Sequence, residues 1–248
     1  MTDLLLQYTP ISLDEMSGIR LMNRIDTKFL TTRLRLEELL QRAKDDYFIQ
    51  EVDGTRNLPY FTLYYDTPEC DMYIMHQNGK KTRQKIRIRS YLNSGINYLE
   101  VKNKNNRGRT KKKRIEIEQR HISHSASIDF LNHYSRYKIS LLSPTLETQF
   151  DRITLVNKNK TERLTIDTNL RFNNYITGET LLLDRIAIIE LKRNGNVFSP
   201  IKDILNQLRI HPAKFSKYCM GMVLTNDNLK QNRFKCRVQT MKKLNIID

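Results

Sequence analysis

Three segments set ionisable side chains at alternate positions between apolar ones: Gln84-Lys85-Ile86-Arg87-Ile88-Arg89, Tyr98-Leu99-Glu100-Val101-Lys102 and Lys112-Lys113-Arg114-Ile115-Glu116. A β-strand turns successive residues to opposite faces, so Lys85, Arg87 and Arg89 share one side of any strand they form. Cations gathered on one face repel one another and lose hydration unless anions and water fill the space in front of them. The chemistry implied is the holding of a polyanion. The few acids in the same pattern, Glu100, Glu116 and Glu190, are oxygen donors that suit a divalent cation such as Mg²⁺ or Mn²⁺ bridging ligand oxygens.

Eight segments carry strand character: 24–31, 60–66, 84–92, 97–103, 112–118, 149–157, 161–168 and 185–193. Short polar links such as Asn93-Ser94-Gly95 and Asn157-Lys158-Asn159-Lys160 suit antiparallel hairpins. Helical periodicity runs through 34–44, 69–77, 125–137 and 201–208; Ile201, Ile204, Leu205 and Leu208 form one stripe, behind Ser199 as N-cap and Pro200 in the first turn. The expected architecture is α+β: a closed eight-stranded antiparallel β-barrel with a charged lumen and helices packed on its apolar outside. One domain over 1–226 is expected, then a basic tail over 227–248 with no assigned structure.

The chain has 248 residues, with 43 Lys and Arg against 27 Asp and Glu, a formal charge of +16. That balance favours phosphate-rich partners, nucleic acid or an anionic membrane surface without choosing among them. Eight of the thirteen residues from Lys102 to Arg114 are basic. Alone this loop would suggest a nucleic-acid patch; between two strands in the same alternating phase it reads as a hairpin extending the cationic wall. No apolar run approaches the roughly 18 residues of a membrane span, and no signal core opens the chain, so a cytoplasmic protein is expected, peripheral to a membrane only through a partner. Cys70, Cys219 and Cys236 lack CxxC spacing, and the histidines, including His76 and His124, show no ligand spacing.

The ordered set Asn23-Arg24-Ile25-Asp26-Thr27-Lys28, Tyr64-Tyr65-Asp66-Thr67-Pro68, Lys85-Ile86-Arg87-Ile88-Arg89, Leu99-Glu100-Val101-Lys102, Asp151-Arg152, Leu164-Thr165-Ile166-Asp167-Thr168, Ile189-Glu190-Leu191-Lys192 and Lys214-Phe215-Ser216-Lys217-Tyr218 resembles the triphosphate tunnel metalloenzymes, and within them the VTC-type polyphosphate polymerase domain. Where that superfamily opens with Glu-x-Glu-x-Lys, this chain has Arg24, Asp26 and Lys28, a replacement that trades one metal ligand for a phosphate contact. The resemblance implies catalytic contacts from Lys28, Arg87, Arg89, Lys102, Arg152 and Lys217. It implies further phosphate contacts from Arg24, Lys85, Lys112, Arg114, Arg163 and Lys192, and metal at Glu190, with Glu100 and Glu116 as further candidates. The implied reaction is metal-dependent transfer of the γ-phosphoryl group of ATP to a growing polyphosphate chain, with Mn²⁺ favoured over Mg²⁺. Alternatives are a tripolyphosphatase or nucleoside triphosphatase, and a non-catalytic polyphosphate- or RNA-binding module. Phe150 stands where the resemblance leads one to expect a tyrosine, and coupling to export would require a separate membrane protein. The Asp66-Thr67-Pro68 step reads as a strand-ending turn, and Tyr64, Tyr65 and Tyr73 as core or wall residues.

Overall fold

The computed structural model describes residues 1–17, 24–122, 125–195 and 197–244, with Ser17 and Arg24 described by backbone alone. Asn23 and His124 lie outside the described residues. In chain order the elements are α1 (Thr2–Leu6), β1 (Thr9–Ile11), α2 (Leu13–Ser17), β2 (Arg24–Thr32), α3 (Arg33–Ala43), β3 (Tyr47–Gln50), β4 (Leu58–Asp66), α4 (Asp71–Gln77), β5 (Arg83–Tyr91), β6 (Ile96–Lys104) and β7 (Thr110–Ile117). There follow α5 (Ser125–Tyr134), a 3-10 turn (Ile139–Leu141), β8 (Ser143–Asn157), β9 (Glu162–Asn174), β10 (Thr180–Leu183), β11 (Ile186–Asn194), α6 (Pro200–Gln207), α7 (Lys217–Leu224) and α8 (Lys235–Lys243).

The chain packs as two compact units. One comprises Met1–Pro59, Phe150–Leu170 and Leu183–Phe215; the other comprises Tyr60–Gln149, Arg171–Leu182 and Ser216–Asp248. In the first, β11 lies antiparallel between β2 and β9, with Glu190 opposite Lys28 on one side and Thr165 on the other. Its core joins Phe29, Leu164, Ile166, Ala187, Ile189 and Leu191 to Leu36, Leu39 and Leu40 of α3 and Ile201 and Leu205 of α6. Those strand residues alternate with Lys28, Glu190, Lys192 and Arg163, so burying the apolar face fixes the direction of the charged one. Pro200 occupies the first turn of α6 as expected, but Ser199 makes no side-chain cap there. Instead, Tyr47 Oη accepts from the Ile201 N–H at 3.2 Å and donates to the buried Glu162.

In the second unit β4, β5, β6 and β7 form an antiparallel meander. Leu63, Tyr65, Ile86, Ile88, Leu99, Val101 and Ile117 form its core with Met72 of α4 and Leu131 of α5. Gly95, at φ +69, closes the β5–β6 hairpin in the left-handed region that glycine enters freely. Helix α4 starts at Asp71, later than the pattern suggested, because Cys70 adopts φ +58. The buried Asp66 carboxylate accepts from the N–H groups of Met72 and Tyr73 at 2.9 and 3.0 Å and from the Tyr218 hydroxyl. This supports the structural reading of the Asp66 step. Helix α7 escaped notice because nearly all of it is buried and shows no stripe. Gly221 lets it approach Leu146 and Phe172, since an added Cβ would meet their side chains at 2.5 and 2.7 Å.

All eight expected strands form, and β1, β3 and β10 add to them. Hydrogen bonding links the main strands in the order β2-β11-β9-β8-β4-β5-β6-β7. Among the described residues no ladder joins β2 to β7, so the expected closed barrel is corrected to a large sheet that hydrogen bonds do not close. Two local features account for the ends. The free edge of β2 is taken by the segment before Phe215, where the Ala213 N–H donates to Lys28 O at 2.7 Å and Phe29 bridges Pro212. At the other end β7 carries the exposed run Lys111, Lys112, Lys113 and Arg114, the kind of charged edge that resists further pairing. Parallel pairing of β1 with β3 also makes the sheet mixed rather than wholly antiparallel. Among the described residues, no helix is long and apolar enough to cross a membrane.

Candidate active site

The first unit's charged face is built around Glu190. Its carboxylate accepts from Lys28 Nζ on β2 through one oxygen and pairs with Lys192 Nζ at 3.2 Å through the other. Burial disfavours ionisation, but the Lys192 and Lys28 ammonium groups outweigh it and hold the carboxyl well below the usual range. Lys192 is pushed below its ordinary value by burial, by Arg152 and by Arg163, with Glu190 opposing them. Strand register places Arg163 opposite Lys192 and Asp26 on Lys192's other side. Arg152 binds Asp167 through two parallel contacts, Nε–Oδ1 at 2.6 Å and Nη2–Oδ2 at 2.8 Å, with its guanidinium 5.2 Å from the Phe150 ring. Arg24 opens β2 opposite Asn194, and its side chain lies outside the described residues.

The second unit's charged face carries Lys85, Arg87 and Arg89 on β5, Glu100 and Lys102 on β6, and Lys112, Arg114 and Glu116 on β7. Glu100 is fully buried; Arg87 Nη2 lies 2.6 Å from one oxygen and Lys112 Nζ 2.5 Å from the other. Burial opposes its ionisation, and the neighbouring Arg87 and Arg89 guanidinium groups, with the hydrogen bond from Lys112, prevail and hold it well below the carboxylate range. Lys85 donates to Ser216 Oγ at 2.8 Å, directly before Lys217, the first residue of α7. Arg89 donates to Thr62 Oγ1 at 3.3 Å, while Arg114 lies over the Tyr98 ring at 4.3 Å and is exposed, as is Glu116.

Lys102 is the most perturbed of these cations: Arg87 first, then burial and Arg89, push its ammonium from 10.5 to about 5, Glu100 only partly compensating. At neutral pH its amine is therefore uncharged. A phosphate anion against this face reverses the field, so Lys102 takes up a proton as the anion binds. Calorimetric titration with tripolyphosphate at pH 7, repeated in buffers of different ionisation heat, should show uptake of about one proton per anion bound. Lys102→Met should remove most of it, and binding without proton uptake by the wild type would contradict the assignment.

The three acids singled out as metal candidates separate clearly. Glu100 and Glu190 each have both oxygens paired, but the Glu100 side chain is 0 % exposed, which makes it an anchor for Arg87 and Lys112 rather than an open ligand. Glu116 is exposed, opposite Tyr98. Glu190 is 22 % exposed and so accessible. No cluster of three His, Cys, Asp or Glu occurs among the described residues. The donor set therefore does not suit a protein-caged metal, but it does suit a hard cation held by one or two carboxylates with phosphates and water completing the shell. Glu190 would be the residue to hold it, with Asp26 two positions from Lys28 on the neighbouring strand as the nearest further acid in the register.

Asp167 was not assigned a role in the sequence reading, although the signal is present: it and Arg152 stand equally far from the Asn157–Glu162 turn, so hairpin counting pairs them. Ser216 and Thr62 carry no comparable signal, because hydroxyl partners of basic residues have no characteristic spacing.

The chain belongs to the VTC domain family, whose model matches residues 23–226. Among solved structures it resembles a candidate adenylate cyclase of Bacillus halodurans, at 15 % identity over 79 % of this chain and 96 % of that one, with a TM-score of 0.50. It also resembles a candidate adenylyl cyclase of Hippeastrum with a dominant triphosphatase activity, at 14 % identity over 82 % and 96 % of the two chains, with a TM-score of 0.49. Comparison with curated proteins gives no match.

Proposed function

We propose that the protein is a metal-dependent polyphosphate polymerase that transfers the γ-phosphoryl group of ATP to the end of an inorganic polyphosphate chain. The observation that carries this reading is Glu190, an accessible carboxylate between Lys28 and Lys192 on a face with Arg152 and Arg163. Membership of the VTC domain family and a cation at position 24 support it.

Phosphoryl transfer depends chiefly on alignment and on neutralising charge on the equatorial oxygens. Lys28 and Lys192, oriented by Glu190, present their remaining N–H donors to phosphate oxygens. Arg152, fixed by Asp167, and Arg163 add planar donors that suit bidentate phosphate contacts. On the second unit's face, Arg87 is held by Glu100, while Lys85, Arg89, Lys102, Lys112, Arg114 and Lys217 supply further contacts for phosphates. A Mn²⁺ or Mg²⁺ ion at Glu190 and Asp26, with Mn²⁺ preferred, would polarise phosphate oxygens and screen repulsion between donor and acceptor. ATP and polyphosphate are the partners this reading requires. A cytoplasmic location and a separate membrane protein for any export belong to the same proposal, as does a single functional domain over 1–226.

Incubation with ATP and Mn²⁺, followed by gel resolution of the products, tests the reaction. A ladder of lengthening polyphosphate with release of ADP is expected. Orthophosphate alone would replace the polymerase by a triphosphatase, and retention of anions without turnover would leave a binding module.

A further inference from the structure

Strand β5 begins at Arg83, two residues before Lys85 and therefore on the same face; Arg83 stands opposite Lys104 as Lys85 stands opposite Lys102. The row of cations thus starts before the Lys85-x-Arg87-x-Arg89 pattern. The chain beyond residue 226, outside the matched family region, is fastened beside this point. Phe234 is 1 % exposed and lies 6.0 Å from the Tyr73 ring and 5.9 Å from that of His76. The Tyr73 hydroxyl donates to Lys230 O at 2.8 Å. The Gln77 carboxamide, with its oxygen toward the tail, accepts from the Asn232 and Arg233 N–H groups at 3.2 and 3.0 Å. A Cβ at Gly79 would collide with the Arg233 guanidinium, and Arg237 lies over Phe234 at 5.2 Å.

Like charges meet here. Burial, then Lys85, Arg83, Arg237 and Arg233, push the His76 imidazole down to about 2 and keep it neutral. Arg83 and Arg237 are each lowered by burial and by Arg233, with the Cys219 thiol acting in the opposite sense. Thiols apart, the charged side chains with the largest effect on these three groups are cations. Arg83 itself is steadied by donating to Lys80 O at 2.8 Å.

We propose that Arg83, Arg233 and Arg237, flanked by Lys80 and Lys104, form an outer subsite for a phosphate chain, which the C-terminal segment completes. The choice of polyphosphate as the chain rests on the proposed function. The surroundings favour it over other polyanions. Phe234, Tyr73 and Met241 are buried, so these side chains are spent on packing and do not offer themselves to a nucleobase or a lipid surface. Arginine forks suit bidentate contacts along a repeating phosphate backbone.

The test measures binding of long-chain polyphosphate and of tripolyphosphate to the full chain and to a variant carrying Arg233→Gln and Arg237→Gln. Long-chain affinity should fall about tenfold, and its salt dependence should flatten by about two charge contacts. Tripolyphosphate, too short to span both regions, should bind as to wild type. Arg233→Lys with Arg237→Lys should restore most of the affinity, which a loss caused by a detached helix would not allow. Equal losses for both phosphates, no loss at all, or the same loss toward an RNA oligonucleotide would overturn the subsite. A wild type that retains no polyphosphate would overturn it too. A wild type that binds polyphosphate through these arginines yet makes none would sink the polymerase reading alone.

Discussion

Glu190→Ala should lower ATP turnover in Mn²⁺ by about a thousandfold or more while leaving polyphosphate retention intact or stronger. The magnitude follows from loss of a metal-held charge clamp: several kcal/mol of transition-state stabilisation, at about 1.4 kcal/mol per tenfold in rate. The opposite sign on binding follows from the pairing. Removing the carboxylate frees Lys28 and Lys192 and makes the face more cationic. Glu190→Asp, which keeps the charge but withdraws it by one methylene, should fall between. Turnover within about threefold of wild type in a folded Glu190→Ala protein would remove Glu190 from the reaction.

Glu100→Ala should act on stability instead. It would strand the buried Arg87 guanidinium and deprive Lys112 of its partner. Removing one partner of a buried pair costs about 3–5 kcal/mol, a large part of the stability of an ordinary domain. Thermal or urea denaturation should show a large fall in the midpoint, and Glu100→Gln, which keeps an acceptor, should lose less. An unchanged midpoint would mean that Glu100 is not the anchor its two contacts make it. The two glutamates thus make opposite predictions: one loses activity in a stable protein, the other stability first.

The strands were legible because alternation is a local signal that burial then enforces. Ile86, Ile88, Leu99 and Val101 are all 0 % exposed, and the charged residues between them have no other side to occupy. The same alternation could not show what ends the sheet, since Pro212 and Ala213 reach the β2 edge only through the tertiary fold. Nor could it rank the acids. Glu100 and Glu190 look alike in sequence, and only packing seals one while leaving the other accessible. The tail was illegible for a related reason: Phe234 and Met241 are its buried residues around α8, too few to make a stripe, and the rings that Phe234 meets, Tyr73 and His76, lie more than a hundred residues away.

The lysines of β7 bear on solubility as well as on phosphate. That strand pairs with β6 on one side, and among the described residues no strand pairs with its other edge, where Lys111 to Arg114 set charges of the kind that resist pairing with a second molecule. Whatever neutralises that charge, whether a bound polyanion or acetylation of the lysines, also removes the repulsion that keeps one chain from adding its strand to another's. On the proposed function, colloidal behaviour and phosphate occupancy would be linked through Lys112 and Arg114, the two members of that run on the same face as Glu100 and Lys102.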